Sequence, residues 1–156
     1  MSAGQVSQQE ALLARLAIDA LIAEFAYRID HDLTDSVADL FTEDGWYGRH
    51  GGDRAAGRAA IRNAYVKRAE QGERIVRHVF TNLRLTMHSP ENADGVCILT
   101  LFGGNGPGPH SAEPLLVQDY ADTYRRVDGT WLFASRETRR IFAAPGFKPV
   151  LDFGKA

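Results

Sequence analysis

Two residues of this chain stand where their neighbours predict something apolar. Asp30 follows Ile18, Ile22, Phe25 and Ile29, which recur at i, i+4, i+7 and i+11 and mark one stripe of a helix running from about Gln8 to Asp30. A carboxylate at the C-terminal end of that helix meets the negative pole of the macrodipole, an unfavourable placement unless something compensates it. His78 falls within Ile75-Val76-Arg77-His78-Val79-Phe80, where period-two alternation puts it on one strand face with Val76 and Phe80. An imidazole on such a face needs a hydrogen-bond partner. Facing each other, the two residues would cancel both penalties. The carboxylate would fix the histidine tautomer, leave the second ring nitrogen as a base and stabilise the imidazolium it forms. The plainer alternative is that Asp30 ends the helix and His78 is a satisfied core residue.

Other chemistries find less support. His31, His50, His78, His88 and His110 are widely spaced, and no His-x-x-x-His or Cys-x-x-Cys ligand pair occurs. The glycines between Gly103 and Gly108 lead towards a strand rather than opening a helix, so they are no phosphate loop, and a Gly-x-Ser-x-Gly elbow is missing. The expectation is chemistry without metal or cofactor. A formal charge of −2 and the lack of any Lys/Arg run argue against nucleic acid or an anionic membrane as partner. Cys97, the single cysteine, lies in the run Val96-Cys97-Ile98-Leu99, so no disulfide can form within the chain and it reads as a small buried hydrophobe. Met1-Ser2-Ala3-Gly4-Gln5 carries neither the basic flank nor the apolar stretch of a secretion signal, and the expected compartment is the cytoplasm.

The elements that must position the pair follow from the same patterns. After His31-Asp32, the residues Leu33, Val37, Leu40 and Phe41 restart a helical stripe, with Thr34 the expected N-cap, and a third helix is signalled from Gly57 to about Gln71 with Ile61 and Tyr65 inward. A short strand is expected at 45–49 and longer ones at 74–88, 95–102, 115–127 and 130–142, with Asp128-Gly129 turning the last pair as a tight hairpin. The tail 143–156 reads as irregular, although it carries Phe147, Leu151 and Phe153. Hydrophobic residues at 44% and charged residues at 24% are ordinary for one globular domain of 156 residues. Helices followed by an antiparallel meander give an α+β class, and a curved sheet wrapped over the first helix can enclose a pocket. The long late strands leave a sheet face that the helices cannot cover, which predicts a homodimer or homotrimer.

These residues carry a family resemblance. The stretch Tyr27 to Tyr47, with Asp30, Leu40-Phe41-Thr42-Glu43-Asp44 and Trp46, resembles the opening of SnoaL-like proteins of the nuclear-transport-factor-2-like superfamily. His78-Val79-Phe80-Thr81-Asn82-Leu83-Arg84-Leu85 is similar to the histidine strand of the scytalone dehydratase and hexachlorocyclohexane dehydrochlorinase branch. The resemblance covers roughly residues 10–142 and implies a cone-shaped barrel in which Asp30 and His78 act as orienter and base of an elimination. It further implies that Tyr27 and Tyr47 position substrate or water and that Arg126, in the late hairpin, reaches the pocket. Trp46 and Phe80 are expected to line the cavity, and Asn82 to serve either as a pocket donor or as a partner for backbone. The chain departs from the branch in having Phe25 where the dehydrochlorinases have a lysine, and in lacking a second histidine on the strand 95–102. The implied activity is a cofactor-independent, dehydratase-like lyase or an isomerase acting on a small apolar, cyclic or aromatic molecule. The rival is a non-catalytic ligand-binding or assembly module, or the small subunit of a ring-hydroxylating oxygenase.

Overall fold

In a computed structural model describing residues 6–153, the first helix begins at a reciprocal cap. Ser7 Oγ accepts from the Glu10 backbone N–H at 3.2 Å, and the Glu10 carboxylate accepts from the Ser7 N–H at 2.8 Å. Helix α1 (Gln8–Asp30) then buries Ile18, Ile22, Phe25 and Ile29, the expected stripe. Each such side chain removed from water contributes roughly 1.5–3 kcal/mol. Met1–Gln5 and Gly154–Ala156 lie outside the described residues, and with them the expectation drawn from the first five residues and the end of the tail.

The stripe that restarts at Leu33 winds as a 3-10 helix, Thr34–Leu40, and Thr34 is its first residue rather than a side-chain cap. The tighter winding lets the chain leave for a strand immediately, so Phe41 opens β1 (Phe41–Arg49) instead of closing a helix. A three-residue β2 (Arg54–Ala56), not foreseen from sequence, turns back on β1 before α2 (Arg58–Ala69). Four long strands follow, β3 (Arg74–Ser89), β4 (Asn92–Asn105), β5 (Leu116–Val127) and β6 (Thr130–Ala143). Asp128 at φ 49° and Gly129 at φ 82° make the expected primed turn between β5 and β6.

The strands form one six-stranded sheet in the order β2-β1-β6-β5-β4-β3. Its pairs are antiparallel except β1–β6, which is parallel. The sheet is curved but not closed, so the barrel is an open one with β2 and β3 as its edges. Among the described residues, no helix is long and apolar enough to cross a membrane.

A bulge on β3 matters for the site. Val76, His78 and Phe80 face inward, and after a register shift between Thr81 and Arg84 the inward residues become Leu83, Leu85 and Met87. Asn82 supplies the shift at φ 57°, a left-handed conformation that asparagine tolerates better than most side chains. One extra residue therefore switches the inward set from even to odd positions and keeps both halves of the strand on the core.

Candidate active site

The sheet, the inner side of α2 and the C-terminal tail enclose a cavity of about 400 Å³. Its apolar wall includes Val76, Leu99, Leu101 and Leu116. The tail after β6 has no regular structure, yet Phe147, Leu151 and Phe153 all pack against the cavity. Arg49 ties it down by donating from Nη2 to the Leu151 carbonyl at 2.6 Å, and its guanidinium lies 4.9 Å from the Phe153 ring centre.

Asp30 and His78 meet at the edge of this space. His78 Nδ1 is 2.6 Å from Asp30 Oδ1, and the His78 backbone N–H donates to Asp30 Oδ2 at 3.0 Å. Two bonds to one residue fix both the ring and the strand against the helix end. Both side chains are largely buried, His78 at 11% exposure and Asp30 at 8%. An ionised carboxylate can only accept, so Nδ1 carries the proton and Nε2 is left as the basic nitrogen of the neutral ring. His78 lines the cavity and Asp30 stands behind it. The helix end is relieved twice, by the imidazole and by Arg77, whose Nη1 donates to the Asp30 carbonyl at 3.4 Å.

Tyr47 also reaches the cavity. Its hydroxyl is 2.9 Å from that of Tyr120, which accepts from Gln118 Nε2 at 3.2 Å, and Tyr65 of α2 adds a third phenol to the same wall. Burial raises the pKa of all three, so these hydroxyls keep their protons and act as hydrogen-bond donors. Phe80 does not line the cavity as expected: it packs edge-on to Tyr120 at 5.0 Å and parallel to the His78 ring at 6.4 Å, and borders the outer groove between α1 and β3.

The remaining sequence candidates lie elsewhere. Tyr27 is exposed on the far side of α1, stacked on His31 at 4.1 Å. Trp46 is half-buried beneath the Arg54 guanidinium, away from the cavity lining. Asn82 is spent on the bulge and faces an outer groove between α1 and β3. Arg126 does not reach the pocket, because its Nε donates to the Gly129 carbonyl inside its own hairpin, at the exposed end of β5.

One cluster escaped the sequence reading. Arg136 of β6 is fully buried and makes two 2.9 Å bonds to the opposite Asp122 of β5, which also accepts from the Tyr124 hydroxyl at 2.9 Å. Its guanidinium sits between the rings of Phe25, Phe80, Tyr120 and Phe133, 4.2–5.0 Å from their centres. Burial is the largest influence and opposes the charge, but Asp122 first, together with Tyr120 and Cys97, holds the Arg136 pKa above its ordinary value. The usable signal was the alternation in Tyr120-Ala121-Asp122-Thr123-Tyr124, which places a carboxylate between two aromatics on one face and demands a cation opposite. Among the described residues, no group of three His, Cys, Asp or Glu side chains is disposed to hold a metal ion.

A helical cradle under a curved sheet, with an aspartate–histidine pair at the mouth of an apolar cavity, places the molecule in a recognisable class. The chain belongs to the SnoaL-like domain family, whose pattern it matches over residues 10–137. Among solved structures it is similar to a protein of Novosphingobium aromaticivorans provisionally named a scytalone dehydratase, with 21% identity, TM-score 0.81, and coverage of 94% of this chain and 96% of that one. It is likewise similar to the type 3 hexachlorocyclohexane dehydrochlorinase of Novosphingobium barchaimii, with 22% identity, TM-score 0.73, and coverage of 92% and 99%. A Mycobacterium tuberculosis protein of unknown function matches at 25% identity and TM-score 0.73, covering 88% of this chain and 78% of that one. A comparison with curated proteins returns no match.

Proposed function

We propose that the protein is a cofactor-independent lyase of dehydratase-like type, or an isomerase using the same base, with His78 removing a proton from carbon and Asp30 orienting it. The observation that carries this reading is the division of the imidazole. Nδ1 is taken by Asp30, while the ring borders a cavity lined mainly by apolar side chains. In an elimination, Nε2 takes the proton from a carbon beside an activating group, the C–H electron pair becomes the new double bond, and the substituent on the next carbon leaves with its own pair. When that substituent is hydroxide, the imidazolium returns the proton and water departs. In an isomerisation the proton returns to a different carbon. General-base catalysis of this kind is worth about 10²–10⁴-fold, and the phenols of Tyr47, Tyr65 and Tyr120 are placed to donate to developing negative charge. The names of the dehydratase and dehydrochlorinase neighbours support the same direction.

The test is carbon-proton exchange in deuterium oxide across a panel of small cyclic β-hydroxy and β-halo carbonyl compounds, compared with His78→Ala and Asp30→Asn. Exchange or elimination that disappears in both variants supports the reading. Tight binding with no exchange by the wild-type protein would overturn it in favour of a carrier or assembly module.

The proposal extends to assembly. Val79, Thr100, Val117 and Phe142 stand side by side across the outward face of four strands, with Val79 43% and Phe142 68% exposed. A second or third copy of the chain covering this row fits its composition. Sedimentation should report a dimer or trimer that Phe142→Lys dissociates, and a wild-type monomer at micromolar concentration would remove the idea.

A further inference from the structure

The charge around the cavity is one-sided. Arg49, Arg68, Arg74, Arg139 and Arg140 all contribute to its lining, and among the described residues neither Asp nor Glu does. This is not a consequence of net charge, since the whole chain is formally −2. Three of the five arginines have a structural explanation or none is needed. Arg49 holds the tail, Arg140 lies 5.3 Å from the ring centre of Phe147, and Arg139 is exposed at the rim.

Arg68 and Arg74 are different. They come from separate elements, α2 and β3, and are half-buried together at one end of the cavity. Neither forms an ion pair among the described residues. Asp32 and Glu73 line a second pocket of about 430 Å³ that Arg68 and Arg74 also border, yet neither carboxylate makes an ion pair with either guanidinium. Arg74 spends Nη1 on Asn105 Oδ1 at 3.2 Å, while its Nε is buried with no acceptor at all. Burial, and then the positive charge of Arg68, pull the Arg74 pKa below its ordinary value. Two neighbouring cations that repel each other, one with an unanswered buried N–H, are costly unless an anion joins them.

We propose that Arg68 and Arg74 form an oxyanion-binding subsite, and that the natural ligand is a small apolar molecule carrying a carboxylate or phosphate. Planar guanidinium groups take both oxyanions through paired N–H bonds, which explains arginine rather than lysine at both positions. The inference rests on the reading of the cavity as the place where His78 meets its substrate, and it refines that reading by adding an anchor. Arg74, Val76 and His78 share one strand face, so a rise of ~3.3 Å per residue sets Arg74 and His78 about 13 Å apart at Cα. A ring with a short linker fits between the anchored anion and the basic nitrogen.

The experiment compares 3-phenylpropanoate, 2-phenylethyl phosphate and the neutral 3-phenylpropanamide by titration calorimetry on the full-length protein. At least one of the two anions should bind about tenfold or more tighter than the amide, and which of them leads identifies the group. Arg68→Gln and Arg74→Gln should each erase most of that advantage, Arg74→Lys should keep part of it, and Arg84→Gln on the outward face of the same strand should change nothing. Equal binding of anions and amide by the wild-type protein overturns the subsite, as does an anion advantage that survives in the Arg68→Gln/Arg74→Gln double variant. The two readings fail separately. His78-dependent proton exchange with no anion preference leaves the base and removes the subsite, whereas an anion preference retained in His78→Ala, with no exchange by the wild-type protein, leaves the subsite and removes the base.

Discussion

Two carboxylates in this small core are each paired with a nitrogen base, and the two pairs are built to opposite ends. Asp122 and Arg136 are both fully buried, face each other across adjacent strands and bind through two parallel bonds. Their remaining capacity goes to the Tyr124 hydroxyl, to Cys97 Sγ and to aromatic faces, apart from one orphan nitrogen, Nη1 of Arg136. Asp30 and His78 touch through one ring nitrogen and one backbone N–H, and the rest of the imidazole borders the cavity. A pair that consumes its own valences is a fastener. One that leaves a ring nitrogen beside the cavity is what the proposed proton transfer would need.

The sharpest way to break this contrast is to remove each carboxylate in turn. Asp30→Asn and His78→Ala should each lower turnover by about 10²–10⁴-fold while circular dichroism reports an intact fold, and their losses should not add. Comparable turnover in either variant would equate the two pairs. Asp122→Asn should do the reverse, costing about 3–5 kcal/mol of stability because the Arg136 charge is left buried and uncompensated. That corresponds to a fall in melting temperature of roughly 10 °C for a chain of this size, with activity per folded molecule little changed. A double change to Asp122→Leu and Arg136→Met should recover much of the loss.

Chemical modification sharpens the same distinction. Cys97 lies beside Arg136, and burial pushes its thiol pKa up to about 12. At pH 8 its thiolate fraction is roughly 10³-fold below that of a free cysteine, so alkylation should be at least that slow until the core opens. Acylation of His78 by a histidine reagent should by contrast be fast and blocked by cavity ligands. The smallest effect is expected at Asn82, where Gly should change stability by no more than about 0.5 kcal/mol and Val should cost about 1–2 kcal/mol through left-handed strain.

What could be read from sequence depended on how local the determinant was. The stripe Ile18 to Ile29 and the turn Asp128-Gly129 each specify structure through neighbours in the chain, and both formed where expected. The Asp30–His78 contact spans 48 residues, yet it was legible because each residue was individually out of place. Arg136 was not, since Ser135-Arg136-Glu137 looks like an ordinary solvated face until Asp122 is set against it. Arg126 illustrates the converse error. It was assigned by position in a hairpin, but at the hairpin's end the nearest acceptor is the turn's own carbonyl. The tail's aromatic residues were visible in sequence, whereas their seat depends on Arg49, 102 residues away from Leu151.

The second bond of Asp30 has a consequence outside chemistry. β3 is an outer strand, and outward N–H groups of such strands are where a foreign strand can add. The N–H of His78 is already taken by Asp30, and the end of α1 sits over it. One carboxylate therefore both poises an imidazole and plugs a vacant rung of an open sheet, so a chain that loses Asp30 loses part of its defence against self-association along that edge.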